Sequence, residues 1–232
     1  MTDAITDYQL IRSNRRKTLA IKVSPTGVEV RAPQFVAKSD IEAFVHEKRH
    51  WIERHLQRFA AQPPQETYEK CYTPGELFQY LGNDYPLALS HGKTASVQLT
   101  STQLNVVLSN RMQGTASQVK RLLEQWYRHR ALAVLSEKSH QQAARLGKSV
   151  GDIRVRRTRS KWGHCTIKGD LQYNWLIMAA PEAVIDYLVA HEVSHLVHHN
   201  HSPAFWQQVA MLCPDWKQQR AWLKQHGYTL RV

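Results

Sequence analysis

The sequence predicts an α+β protein, and three observations carry that expectation. Short alternating apolar runs fill the amino-terminal half, and a long stretch with helical period follows them. Near the carboxyl end, a nearly continuous apolar helix carries His191-Glu192-Val193-Ser194-His195. At 232 residues the chain can bury a substantial core, as one domain or as closely associated smaller ones.

The elements follow in order. Tyr8 to Arg12, Leu19 to Val23 and Gly27 to Arg31 alternate like short strands, with Ser24-Pro25-Thr26-Gly27 as a turn. Ser39-Asp40 can cap a helix through Ala43, Phe44, Trp51, Ile52 and Leu56, which Ala60-Ala61-Gln62-Pro63-Pro64 ends in a linker. A second run of strands covers Leu77 to Leu81, Tyr85 to Leu89, Ser96 to Leu99 and Gln103 to Leu108, with turns at Gly82-Asn83-Asp84 and His91-Gly92. From about Ser117 the period becomes helical through Val119, Leu122, Leu123, Trp126, Tyr127, Leu132 and Leu135, until Gly147 stops it. A strand near Ile153 to Arg157, a hairpin from about Lys161 to Trp175, the apolar helix, and helices from about Pro203 and Pro214 complete the chain. These shifts divide it into residues 1–62, hairpins plus a helix; 63–114, a β-rich segment; and 115–232, a core reached through the long helix. Alternatively, all three form one continuous domain.

Histidines four apart on a helix share a face, so His191 and His195 can grip one metal ion from the same side. Glu192 then sits beside that ion, where it can take a proton from water that the cation has made more acidic. The helical context is sound: Pro181 suits a first helical position, Glu182 suits the positive end of the helix dipole, and Val184, Ile185, Leu188, Val189, Val193, Leu196 and Val197 recur through the following turns. Neutral histidines in this spacing favour one Zn2+ ion.

A third ligand is sought downstream, where no Glu follows Glu192. On a continuing helix His198 and His199 lie ~10–12 Å along the axis from His191, too far for a shared metal. Asn200 can adopt the left-handed conformation that ends helices, and Ser202-Pro203 resembles a capped helix start, so the chain can turn back and bring His201 round. Asp215, the only later carboxylate, remains an alternative ligand or a partner orienting a histidine.

Arg159-Ser160-Lys161-Trp162-Gly163-His164-Cys165, Leu171 to Trp175, Ala180-Pro181, the HExxH, and Asn200-His201-Ser202 through Phe205-Trp206 together resemble the YgjP-like metallopeptidase family, which is related to the SprT and WLM zinc metalloproteases. Arg15-Arg16-Lys17-Thr18-Leu19, Val30-Arg31-Ala32-Pro33, Glu47-Lys48-Arg49 to Trp51-Ile52 and Tyr80-Leu81-Gly82 extend the likeness over nearly the whole chain. The resemblance implies a zincin-like core, a peptide or protein substrate, and a His followed closely by Phe completing the metal site. One departure is His164, where the family more often has Ser.

Composition bounds the partners. The formal net charge is +12, which favours anionic partners and leaves nucleic acid or another polyanion open, although no helix-turn-helix, zinc-finger or RNA-binding signature is present. The seven tryptophans mostly occupy apolar helical positions, as core residues do. No apolar run is long enough to span a membrane and the polar start lacks a signal peptide's features, so a cytoplasmic protein is expected. Cys71, Cys165 and Cys213 lack CxxC spacing and read as reduced thiols. Along Ile153 to Arg157, Arg154 and Arg156 can face outward, either to receive substrate along a sheet edge or to guard that edge from other strands.

The expected activity is that of a zinc metallohydrolase cleaving peptide bonds, with His164, Tyr173 and Tyr187 as candidate donors to the developing oxyanion. A phosphoanhydride hydrolase using Arg154, Arg156, Arg157 and Arg159 against phosphate oxygens is the alternative within enzymes. A zinc-containing module that binds nucleic acid or a partner without catalysis is the alternative outside them. Three protein ligands with an open fourth position argue for catalysis, since structural zinc is normally closed by four.

Overall fold

The computed structural model describes residues 7–24, 27–60 and 70–232, and shows a mixed α+β protein in two compact units, Met1–Tyr68 and Glu69–Val232. In the first unit β1 (Tyr8–Ser13), β2 (Ala20–Ser24) and β3 (Gly27–Pro33) form a sheet in the order β1-β3-β2. Alternation along β3 sends Val28, Val30 and Ala32 into a core shared with Ile41, Val45 and Ile52. The single helix expected after Ser39 is two, α1 (Lys38–Glu47) and α2 (Arg49–Ala60), divided at Lys48. Its cap position is Ala37, without a side-chain bond. Ser39 and Asp40 lie inside the first turn, where the Asp40 carboxylate meets the positive end of the helix dipole. Pro25 and Thr26 of the expected turn and residues 61–64 of the expected linker lie outside the described residues.

The second unit opens with β4 (Leu77–Tyr80), β5 (Asn83–Gly92), β6 (Ser96–Leu99) and β7 (Leu104–Ser109), a sheet in the order β4-β5-β7-β6. Tyr80 pairs with Asn83, so the hairpin closes on Leu81 and Gly82 alone, at φ of 50° and 81°. The turn thus sits one residue earlier than the sequence indicated, and β5 runs through His91–Gly92 instead of turning there. This hairpin tip is tightly seated: Leu81 N–H donates to the Met178 carbonyl at 2.8 Å, and a Cβ on Gly82 would stand 2.9 Å from Pro181 Cα.

Helix α3 (Ala116–Arg145) spans 30 residues and buries a stripe recurring every fourth residue from Val119 to Ala143. Left-handed Gly147, at φ 62°, follows its end. A second sheet, β8 (Ile153–Arg156), β9 (Gly163–Cys165) and β10 (Leu171–Asn174), has the order β8-β10-β9, leaving β8 and β9 as its edges. A 3-10 turn at Trp175–Ala179 leads to α4 (Glu182–Ser194), then α5 (Pro203–Leu212) and α6 (Trp216–His226). Lys138 of α3 holds Glu182 and Asp186 of α4 at 2.8 and 2.7 Å. No helix among the described residues is long and apolar enough to cross a membrane.

Candidate metal centre

Helix α4 is buried nearly all round, from Val184 to Ser194, which fixes its last turn in the core. His191 lies in that turn and His195 is its C-cap. The chain then reverses by tight bonds: Leu196 N–H to Val193 O at 3.0 Å, Val197 N–H to Ser194 O at 3.1 Å and His198 N–H to Ser194 O at 3.0 Å. Ser194 Oγ also bonds back to Ala190 O at 2.7 Å, an arrangement that bends helices. Asn200 is therefore not the left-handed terminator that the sequence indicated; outside glycine, only Tyr72 and Leu81 have positive φ among the described residues. Its side chain instead accepts from Ser202 N–H at 3.2 Å, and Ser202 caps α5 by accepting from Phe205 N–H at 3.4 Å with Pro203 in the first turn.

This reversal brings one nitrogen of each of His191, His195 and His201 within 4.8 Å of the others. His191 Nε2 and His201 Nε2 are 3.1 Å apart, close to the ~3.3 Å that two nitrogens ~2.0–2.1 Å from a tetrahedral ion would keep. His195 Nδ1 donates to the His198 carbonyl at 2.9 Å, leaving its Nε2 lone pair free. Burial first, then the neighbouring His195, His201 and Arg220, depress His191 to about 3. Burial also lowers His195, so both rings stay neutral at neutral pH, as ligands must. The three residues can hold a metal ion. His198 contributes its carbonyl, and neither its ring nor His199 joins the group. Asp215 is also outside it, its carboxylate accepting from Gln219 Nε2 at 2.5 Å and Cys213 Sγ at 3.2 Å.

Phe205 is the hub of the cluster, fully buried and with ring centroids 4.5, 4.8 and 5.0 Å from His195, His201 and His191. Among the described residues His191 Nδ1 has no hydrogen-bond partner and is buried, so packing orients that ring. Behind His201 stand Trp206, stacked at 5.7 Å, and Trp216, stacked on Trp206 at 4.4 Å. Phe205→Ala should cost ~3–5 kcal/mol, lowering the melting temperature of the metal-free protein by ~10 °C on a calorimetric scan.

Glu192 is buried at 4% exposure, with its carboxylate against Gly163 of β9. A Cβ at position 163 would be within 2.6 Å of Glu192 Oε1, Cδ and Cγ, so only glycine leaves the carboxylate room. Burial pushes Glu192 up to about 8, opposed by the charge of Lys161. His164 is exposed on β9, and Tyr187 meets His191 edge-on at 5.9 Å. Tyr173 is fully buried, and its hydroxyl is hydrogen-bonded with Ser139 Oγ at 2.9 Å. Arg154 and Arg156 lie on β8, the opposite edge of the sheet from β9, and Arg154 is paired with Asp152 at 2.9 Å. Cys165 stays a thiol, pushed up to about 11 by burial and by the Glu192 and Asp170 charges. In the amino-terminal basic run, Arg12 is spent on the carbonyls of Gln34 and Val36, at 2.9 and 2.8 Å. The contact roles of Gly163, Lys161 and Arg220 escaped sequence reasoning, because close approach and through-space charge leave no periodic trace.

No curated protein matches the chain. A partial structural likeness to the metallopeptidase zymogen of Pyrococcus abyssi abylysin covers 39% of this chain and 93% of that one at 19% identity, and its TM-score of 0.36 is too low to carry an argument. The YgjP-like, metallopeptidase domain profile, in contrast, matches residues 17–226. With that match across both units, the chain belongs to the YgjP-like metallopeptidase family.

Proposed function

We propose that the protein is a zinc-dependent peptidase with a zincin-like core in residues 115–232, in which His191, His195 and His201 hold one zinc ion and Glu192 is the general base. The observation that carries this is the convergence of three histidine nitrogens within 4.8 Å beside a buried carboxylate. A zinc ion held there would supply Lewis-acid chemistry toward the scissile carbonyl and would make water acidic near neutral pH. Burial raises the Glu192 carboxyl in the metal-free protein, and a cation held by the three histidines would oppose that rise, leaving a carboxylate able to accept a proton from attacking water and return it to the leaving amine. Gly163 keeps that carboxylate in place by offering no side chain. The substrate backbone is assigned to the edge of β9, whose first residue touches Glu192, and not to β8. His164 and Tyr187 are favoured as oxyanion donors over Tyr173, which is fully buried and bonded with Ser139.

The phosphoanhydride alternative gains less support, because Arg154 is paired with Asp152 at 2.9 Å and Arg157 with Glu124 at 3.7 Å. The test is hydrolysis of a casein and peptide panel by the purified chain. Chelation should abolish cleavage, and about one equivalent of zinc should restore it. Turnover indifferent to chelation, or confined to nucleoside triphosphates, would sink the proposal.

A further inference from the structure

A cavity of about 400 Å3 is lined on one side by Arg159, Lys161 and Trp162, from the loop that leads into β9. The next residue in the chain is Gly163, whose backbone stands against the Glu192 carboxylate, so one wall of the cavity continues directly into the strand beside that carboxylate. Lys224 and Tyr228, at the end of α6 and just beyond it, form the opposite wall. The walls are held. Asn174 donates from Nδ2 to the Thr158 carbonyl at 3.1 Å and from its backbone N–H to the Trp162 carbonyl at 2.7 Å. The Trp162 ring packs on Gly227, where a Cβ would come within 3.0 Å of it.

The charge of this cavity is one-sided. Its lining includes Arg159, Lys161 and Lys224 and no Asp or Glu. Among the described residues none of these cations forms an ion pair, whereas nearby Arg154 and Arg157 each do. Cations gathered in a concave site focus a positive potential that an anion relieves. The volume suits a side chain or chain end, and Trp162 and Tyr228 offer ring surface to its methylenes.

We propose that this cavity is a specificity subsite that receives a carboxylate of the peptide substrate, from an acidic side chain near the scissile bond or from a free carboxyl terminus. The proposal rests on the peptidase reading above and adds the substrate class to it. The site selects for charge, since Gln or an amidated end brings equal bulk without the charge-assisted bonds.

The experiment compares zinc-loaded wild type, Lys224→Glu and Arg159→Glu on paired peptides. One series carries Glu or Gln at each position flanking the bond, with amidated ends; the other has free or amidated carboxyl termini. Binding is measured separately by fluorescence anisotropy on zinc-loaded Glu192→Gln, alone and combined with Lys224→Glu. A preference of about tenfold or more in kcat/KM for the carboxylate form, lost or reversed toward Lys peptides in the variants, supports the subsite. The series that shows it identifies the source of the carboxylate. Cleavage without such a preference, a preference that both variants retain, or tighter binding of a short oligonucleotide than of any acidic peptide would overturn it. Should wild type cleave no peptide while Lys224-dependent selective binding persists, the peptidase reading falls and the carboxylate site stands.

Discussion

Glu192→Gln should lower peptide turnover by ~10²–10⁴-fold, the range that general acid–base catalysis contributes, while zinc content stays unchanged. The amide is nearly isosteric with the carboxylate but cannot take up the proton. Gly163→Ala should give a similar loss by another route, since its Cβ would stand 2.3 Å from Glu192 Oε1 and drive the carboxylate aside. Metal analysis and kcat measurement on both variants check the pair, and loss of zinc from Glu192→Gln would argue that Glu192 has a structural role. In the metal-free protein Glu192 has a further signature. In the folded chain burial pushes it up to about 8, above the ordinary 4.5 of a solvated glutamate, so the folded state binds the extra proton between those pH values. Its contribution to stability is complete below pH ~4.5 and is lost as pH rises through about 8. Metal-free Glu192→Gln should therefore gain on metal-free wild type as pH rises, by on the order of 5 kcal/mol above that range. Parallel denaturant titrations at pH 5 and 9 measure the difference.

His201→Ala should weaken zinc binding by more than the ~10–100-fold that follows loss of a supporting partner, because a direct ligand is removed. His201 is also the exposed member of the trio and the one supplied by the chain after α4 has ended. Its loss leaves His191 and His195 in place on a helix already fixed by the core, so the metal-free variant should unfold at nearly the wild-type temperature. The difference should emerge only with zinc, as a missing ligand-induced shift in melting temperature. Full zinc retention by His201→Ala would remove it from the ligand set.

The legible parts of the sequence were those in which one residue type meets one local demand. The apolar period marked α3 and α4, and Ser202-Pro203 marked the start of α5, because caps and helical faces are properties of neighbouring residues. His191 and His195 were visible for the same reason, as two positions on one helix. What stayed hidden depended on the chain meeting itself. Lys48 interrupts a helix without Gly or Pro, and the reversal after His195 uses right-handed tight turns where the sequence offered Asn200. The sequence drew attention to β8 because its arginines are visible there, whereas β9 is only three residues long and its position beside Glu192 is a fact of packing. Lys161, Lys224 and Tyr228 could not be grouped from sequence, being brought to one cavity by a loop and a helix end more than sixty residues apart.

The fit of Gly82 against Pro181 gives the hairpin between β4 and β5 a part in placing α4, although none of the converging histidines lies on it. Pro181 is the N-cap of α4, and His191 lies ten residues further along, ~15 Å down a helix that behaves as a stiff rod. Because the core holds that rod on nearly all sides, a displacement at its near end is passed along its length instead of being absorbed locally. The turn at Leu81 and Gly82 is in this sense an aiming stop, and a side chain added there would alter where His191 and His195 point while leaving both histidines and Glu192 unchanged in the sequence.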